Sequence, residues 1–188
     1  MLIKILCLAV LPYFVQCACP TIISRSQWGA AAPKRVIRLR QNPPPFVVVH
    51  HSDTPVCNSE SQCKTRIKNI QSQHMKNNGW DDIGYNFVIG GDGNVYEGRG
   101  WGIFGSHVPR YNGKSIGIVL IGNFNTQRPP QTQLDALKNL IACAKENNYV
   151  KADYHLIGHR QGKVTECPGD QLFNEISNWP QFDPSVRP

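Results

Sequence analysis

Residues 46–51 read FVVVHH and follow the prolines Pro43, Pro44 and Pro45. Phe46 and the three valines after it form an apolar run rich in β-branched side chains, which suits a strand buried on both faces. His50 stands at its C-terminal end. A chain built around such a strand needs other strands beside it and helices to cover it, and the remaining sequence alternates between the two patterns.

SESQCKTRIKNIQSQHMKNNG predicts a helix opened by a capping box from Ser59 to Gln62 and closed by Gly79, with Ile67, Ile70 and His74 on its inner stripe. YNFVIG and NVYEGR predict a hairpin joined by the turn GDGN, and SIGIVLIGNF predicts a further apolar strand. QTQLDALKNLIACAKENN carries Leu134, Leu137, Ile141 and Ala144 at helical spacing behind the helix-blocking pair Pro129 and Pro130. YHLIGH is a last strand before RQGKVTECPGD, and a short helix is expected near QLFNEISNW. There are no repeats, low-complexity tracts or internal linkers, so one compact α/β domain is implied. His50 and His159 then both lie at strand ends, where polar side chains converge on one rim of a sheet.

The first residues, MLIKILCLAVLPYFVQCAC, carry one cation, Lys4, before an apolar run from Ile5 to Val15 that ends in small residues. That run is too short to span a bilayer and reads as a secretory signal peptide over residues 1–18, leaving a mature domain at 19–188. No other stretch suggests membrane insertion, and the expected localisation is extracellular. Loss of Lys4 takes the formal charge from +7 to +6. A basic balance favours approach to anionic polymers, but Lys and Arg are scattered rather than clustered among aromatics, which argues against nucleic acid.

Five cysteines remain after removal of Cys7 and Cys17: Cys19, Cys57, Cys63, Cys143 and Cys167. In an oxidising compartment an odd number leaves one thiol over. CNSESQC closes a short loop between Cys57 and Cys63, and Cys19 pairs with Cys143 in one of the three connectivities open to four cysteines. That assignment leaves Cys167 as a spare thiol or a metal ligand. Zinc takes soft or borderline ligands in a tetrahedron, and a catalytic site supplies three and leaves one position open. His50, His159 and Cys167 would make such a set. Their spacing lacks a compact HExxH or CxxC signature, and satisfied core histidines remain the plainer alternative.

VVVHHSD, HMKNNGWDDIGYNFVIGGDGNVYEGRGW, GSHVPRYNGKSIGIVLIGNF and IGHRQGKVTECPGD together resemble the peptidoglycan recognition proteins of the short, secreted insect type, from ISRSQWGA to FNEISNW. The resemblance implies a mixed central β-sheet flanked by helices, shared with phage-type zinc amidases. It implies an N-acetylmuramoyl-L-alanine amidase activity that only some members keep, and bacterial peptidoglycan or its muropeptides as partner. Inactive members often carry serine where this chain has Cys167.

By motif, the resemblance makes His50, His159 and Cys167 the Zn2+ ligands and Tyr85 the further catalytic residue. His51 is the poorer ligand, because successive side chains on a strand face opposite ways. Tyr85 would donate to the developing oxyanion, and Thr165, two residues before Cys167, would support the water. Gly79, Trp80 and Arg99 match members that prefer meso-diaminopimelic-acid peptidoglycan, where an arginine fork would hold the carboxylate that lysine lacks. His74, His107 and Asn112 match groove positions that contact the muropeptide. The alternative is a non-catalytic receptor that binds the same ligand and passes the signal to immune partner proteins.

Overall fold

The structure is a computed structural model and describes residues 19–188. The expected signal peptide, with Cys7 and Cys17, lies outside the described residues. In chain order the elements are β1 (Ile22–Ile23), α1 (Arg25–Trp28), β2 (Phe46–His51), α2 (Glu60–Lys76), β3 (Phe87–Ile89), β4 (Val95–Glu97), β5 (Ser115–Leu120), α3 (Gln131–Glu146), β6 (His155–Gly158) and α4 (Asp170–Ile176). A 3-10 turn, His159–Gln161, follows β6. The strands form one six-stranded sheet in the order β1-β4-β3-β5-β2-β6. The β3–β4 hairpin is antiparallel and every other pairing is parallel, so the sheet is mixed.

β2 lies between β5 and β6, and its residues Val47 to His51 are buried. Val47 and Val49 join the core formed with Leu134, Leu137, Leu140 and Ile141 of α3. On the opposite face, α2 packs Ile67 and Ile70 against Val88, Tyr96 and Val119. Burying each such aliphatic side chain stabilises the fold by about 1.5 to 3 kcal/mol. Helices on both faces explain why β2 reads as unbroken apolar sequence rather than as an alternation.

Two local details differ from the sequence reading. Ser59 caps α2 by accepting from Gln62 N at 3.4 Å, but the Gln62 side chain accepts from Asn58 N at 3.0 Å rather than from Ser59, so the capping box is displaced by one residue. Helix α2 ends at Lys76 with Asn77 as its C-cap, and Gly79, with φ +70°, turns the chain two residues after the cap. The short β1 and α1 leave no periodic trace in the sequence because neither is long enough to show a period. Ser24 caps α1 in a complete capping box with Gln27, a signal present in the stretch SRSQ. It seats Trp28, fully buried, whose indole donates to the Glu97 carbonyl at 2.8 Å.

Candidate metal centre

Parallel pairing brings the ends of β2 and β6 together, and with them His50 and His159. Because side chains alternate along β2, His50 shares the face of Val48, whereas His51 turns to the other side and its Nδ1 accepts from Phe124 N at 3.3 Å. Cys167 arrives on the loop between the 3-10 turn and α4. Its backbone N–H donates to the Thr165 hydroxyl at 3.3 Å, and its sulfur accepts from the backbone N–H of His51 at 3.4 Å. One donor atom from each of His50, His159 and Cys167 lies within 4.8 Å of the others. The His50 and His159 rings are 4.5 Å apart, and His50 Nδ1 is 3.8 Å from the Cys167 sulfur.

The electrostatics of this cluster fit a divalent metal. Burial holds the imidazoles neutral, drawing His159 down to about 4 and His50 well below its ordinary range, with mutual repulsion adding to the effect at His50. Both ring nitrogens of His159 are buried without a hydrogen-bond partner. Leaving such an atom unpaired costs about 1 to 3 kcal/mol, which a coordinated cation would offset. Burial pushes the Cys167 thiol up to about 12, so a thiolate there requires a neighbouring positive charge. Two neutral imidazoles and one thiol in reach of each other form a donor set suited to zinc.

From this cluster an aromatic series runs outward: His50 to Tyr85 at 5.2 Å between ring centroids, Tyr85 to His74 at 5.6 Å, and His74 to Trp80 at 4.6 Å. Asn86, fully buried, fixes the segment that carries Tyr85 by accepting from Gly117 N and donating to the carbonyls of Gly100 and Ile103. Burial raises the Tyr85 hydroxyl well above its ordinary range, so it remains a donor. His74 Nδ1 accepts from Gly84 N at 3.0 Å, which leaves its Nε2–H to donate elsewhere. Gly79 faces open space on an exposed turn beside Trp80.

Three of the expected groove residues also make bonds within the protein. His107 is only 8% exposed and stands behind His50, with its Nδ1 3.1 Å from His50 Nε2. The side-chain oxygen of Asn112 accepts from the backbone of His107 at 2.7 Å and of Val108 at 2.8 Å, so only its NH2 is left for a ligand. Arg99 donates from Nε to Ile83 O, from Nη1 to Phe104 O, and from Nη2 to Asp82 O and the Ser106 hydroxyl. Four of its five N–H donors are thereby engaged, and the free two-pronged fork expected from sequence is replaced by a loop staple with one N–H in hand.

Sequence reasoning also passed over residues that hold the site's frame. Asp82, buried, pairs with Arg25 at 2.9 Å and accepts from Gln71 at 2.7 Å, which anchors the loop between Trp80 and Tyr85 to α1 and α2. Arg160, Glu166 and Asp170 line a cavity of about 450 Å³ with Asn125, Thr126 and Thr165 beside Cys167. Cysteine pairing follows the open reading: Cys19 joins Cys143 and Cys57 joins Cys63, and Cys167 is the free cysteine among the described residues. No helix among the described residues is long and apolar enough to cross a membrane.

Comparison with known proteins agrees with this architecture. The family described as N-acetylmuramoyl-L-alanine amidase matches residues 40–170. Peptidoglycan-recognition protein LB of Drosophila melanogaster is 51% identical over 162 residues, covering 86% of this chain and 69% of that protein. The solved structure of wild-type Drosophila PGRP-LB superposes with a TM-score of 0.85 at 50% identity, covering 87% of this chain and 96% of that one. Peptidoglycan recognition protein LE in complex with tracheal cytotoxin, a monomeric diaminopimelic acid-type peptidoglycan, gives a TM-score of 0.84 at 41% identity, covering 86% of this chain and 95% of that one. The chain accordingly belongs to the peptidoglycan-recognition proteins and carries their N-acetylmuramoyl-L-alanine amidase domain.

Proposed function

We propose that this protein is a secreted, zinc-dependent N-acetylmuramoyl-L-alanine amidase of innate immunity, with a signal peptide at 1–18 and the amidase domain at 19–188. Its substrate would be bacterial peptidoglycan, and the bond cleaved the amide between N-acetylmuramic acid and L-alanine. The observation that carries the enzymatic reading is the convergence of His50, His159 and Cys167, with a cysteine where serine would leave two nitrogen ligands and a poor third.

These three residues would hold zinc. When bound, the metal supplies a Lewis acid for the amide carbonyl and lowers the pKa of a water toward 7. The chain's own groups do the remainder. Cys167 supplies the negative charge, and the His51 N–H bond to its sulfur orients that ligand. Tyr85 keeps its proton at neutral pH and donates to the amide oxygen as charge develops there. The Thr165 hydroxyl accepts from Cys167 N and keeps its own hydrogen for the attacking water. His74 and Trp80 offer a donor and a flat apolar face to the peptide stem. The diaminopimelate preference is supported by Gly79, Trp80 and Arg99, and by the ligand carried by the LE relative. Arg99 would act on the extra carboxylate through its charge and its one uncommitted N–H.

Two assays test the proposal together. The purified protein should contain one zinc per chain, and removal of that zinc by a chelator should abolish release of stem peptide from muropeptide, with recovery on adding zinc back. Undiminished turnover at negligible zinc content would contradict it.

A further inference from the structure

We propose that His107 is a positioning residue for the metal ligand His50, acting through a one-way chain of hydrogen bonds that ends on the backbone. The inference rests on a metal at the His50, His159 and Cys167 cluster. His50 Nδ1 is the nitrogen on the Cys167 side, 3.8 Å from the sulfur, and its Nε2 lies 3.1 Å from His107 Nδ1. A histidine that ligates through Nδ1 must carry its proton on Nε2 and give it to an acceptor. His107 Nδ1 is that acceptor, which puts the His107 proton on Nε2. There it meets the Ser115 hydroxyl at 3.3 Å, and Ser115 in turn donates to the Tyr111 carbonyl at 2.7 Å. Each link has one donor and one acceptor, and the terminal carbonyl cannot donate, so the whole chain can run in one direction only.

The slot that holds His107 is made by backbone. A Cβ added at Gly105 would lie 2.4 Å from His107 Cδ2, and one added at Gly117 would lie 2.6 Å from the same atom. Both are far inside contact distance, so the imidazole is clasped between two glycines and cannot tilt away from His50. Gly117 sits within β5, opposite Val48 of β2, where a side chain would otherwise be expected. An isolated glycine in a buried strand marks a close approach, and the group approaching here is His107. Asn112 completes the device by accepting from the His107 backbone N–H at 2.7 Å. Partners of this kind change metal affinity by about 10- to 100-fold.

Zinc affinity, read by competition with a chromophoric chelator, tests the proposal without reference to turnover. His107→Phe keeps a ring in the slot and removes the acceptor; zinc should bind about 10- to 100-fold more weakly. His107→Asn returns an amide oxygen to the Nδ1 position and should restore most of the loss. In wild type, the ring nitrogen-15 NMR spectrum should place the His107 proton on Nε2, a result that stands even if a variant folds poorly. Wild-type zinc affinity in a folded His107→Phe protein, equal weakening in the Asn and Phe variants, or a proton on Nδ1 would each overturn the positioning role. Failure of wild type to bind zinc at all would overturn the metal reading beneath it as well.

Discussion

The backbone N–H of His51 donates to the sulfur of Cys167 at 3.4 Å across 116 residues of sequence. His51 is the residue beside the expected ligand His50, and it serves the cluster through its main chain while its ring faces Phe124. One strand end therefore presents an imidazole to the centre and an N–H to the thiol. An N–H aimed at sulfur favours the thiolate, but burial outweighs it and holds the thiol high, so ionisation of Cys167 is coupled to a bound cation.

Arg99→Ala should destabilise the fold by about 1 to 3 kcal/mol, because it strips partners from the carbonyls of Ile83 and Phe104 and from Ser106. Urea unfolding measures this. The same variant should weaken binding of diaminopimelate-type muropeptide by about 1.5 to 3 kcal/mol, the scale of a charged hydrogen bond, and leave lysine-type binding nearly unchanged. Equal losses on both ligands would assign Arg99 to the loop alone.

His74 sets a pH dependence of stability. Burial, with Arg99 nearby, lowers its folded pKa from 6.5 to about 4. As pH falls below 6.5 the unfolded chain takes up a proton there and the folded chain does not, so this contribution is constant above 6.5 and stability declines from 6.5 toward 4. Replacing His74 with Gln should make the decline in that window shallower by the share of one histidine, since His50, His107 and His159 are lowered in the same way, and leave the pH slope above it unchanged. Parallel stability profiles for the two proteins would reject the assignment.

The two disulfides should differ in value. Cys19–Cys143 spans 124 residues and Cys57–Cys63 spans 6. Loop-closure entropy then predicts about 5 kcal/mol for the long bridge and about 2 for the short one. Thermal unfolding of the paired Cys→Ser variants checks the order, and a larger loss on opening the short loop would contradict it.

The long, periodic elements were legible because their burial writes itself into the sequence. Phe46–His51 and Gln131–Glu146 match the predicted strand and helix, and Leu134, Leu137, Ile141 and Ala144 are all buried. The two-residue β1 and four-residue α1 were not, since their places are fixed by pairing to β4 and by the Trp28 anchor. His50, His159 and Cys167 could be grouped from the sequence, which put the histidines at strand ends; the parallel register of β2 and β6 is what brings them together. The internal partners of His107 and Arg99 could not be read, because they depend on loop paths that leave no periodic trace. Gly117, inside an otherwise apolar strand, was the one local sign of the His107 slot.

Cys167→Ser, assayed in parallel with wild type for zinc content, stem-peptide release and muropeptide binding, tests the amidase account most directly. Serine is not ionised at neutral pH and is a poor zinc ligand, so the variant should lose zinc and lose turnover. His74, Trp80 and Tyr85 are untouched by the change, so binding should persist. Hydrolysis by Cys167→Ser at the wild-type rate would contradict the zinc-amidase account, and a wild type that binds muropeptide without ever releasing stem peptide would make the protein a receptor.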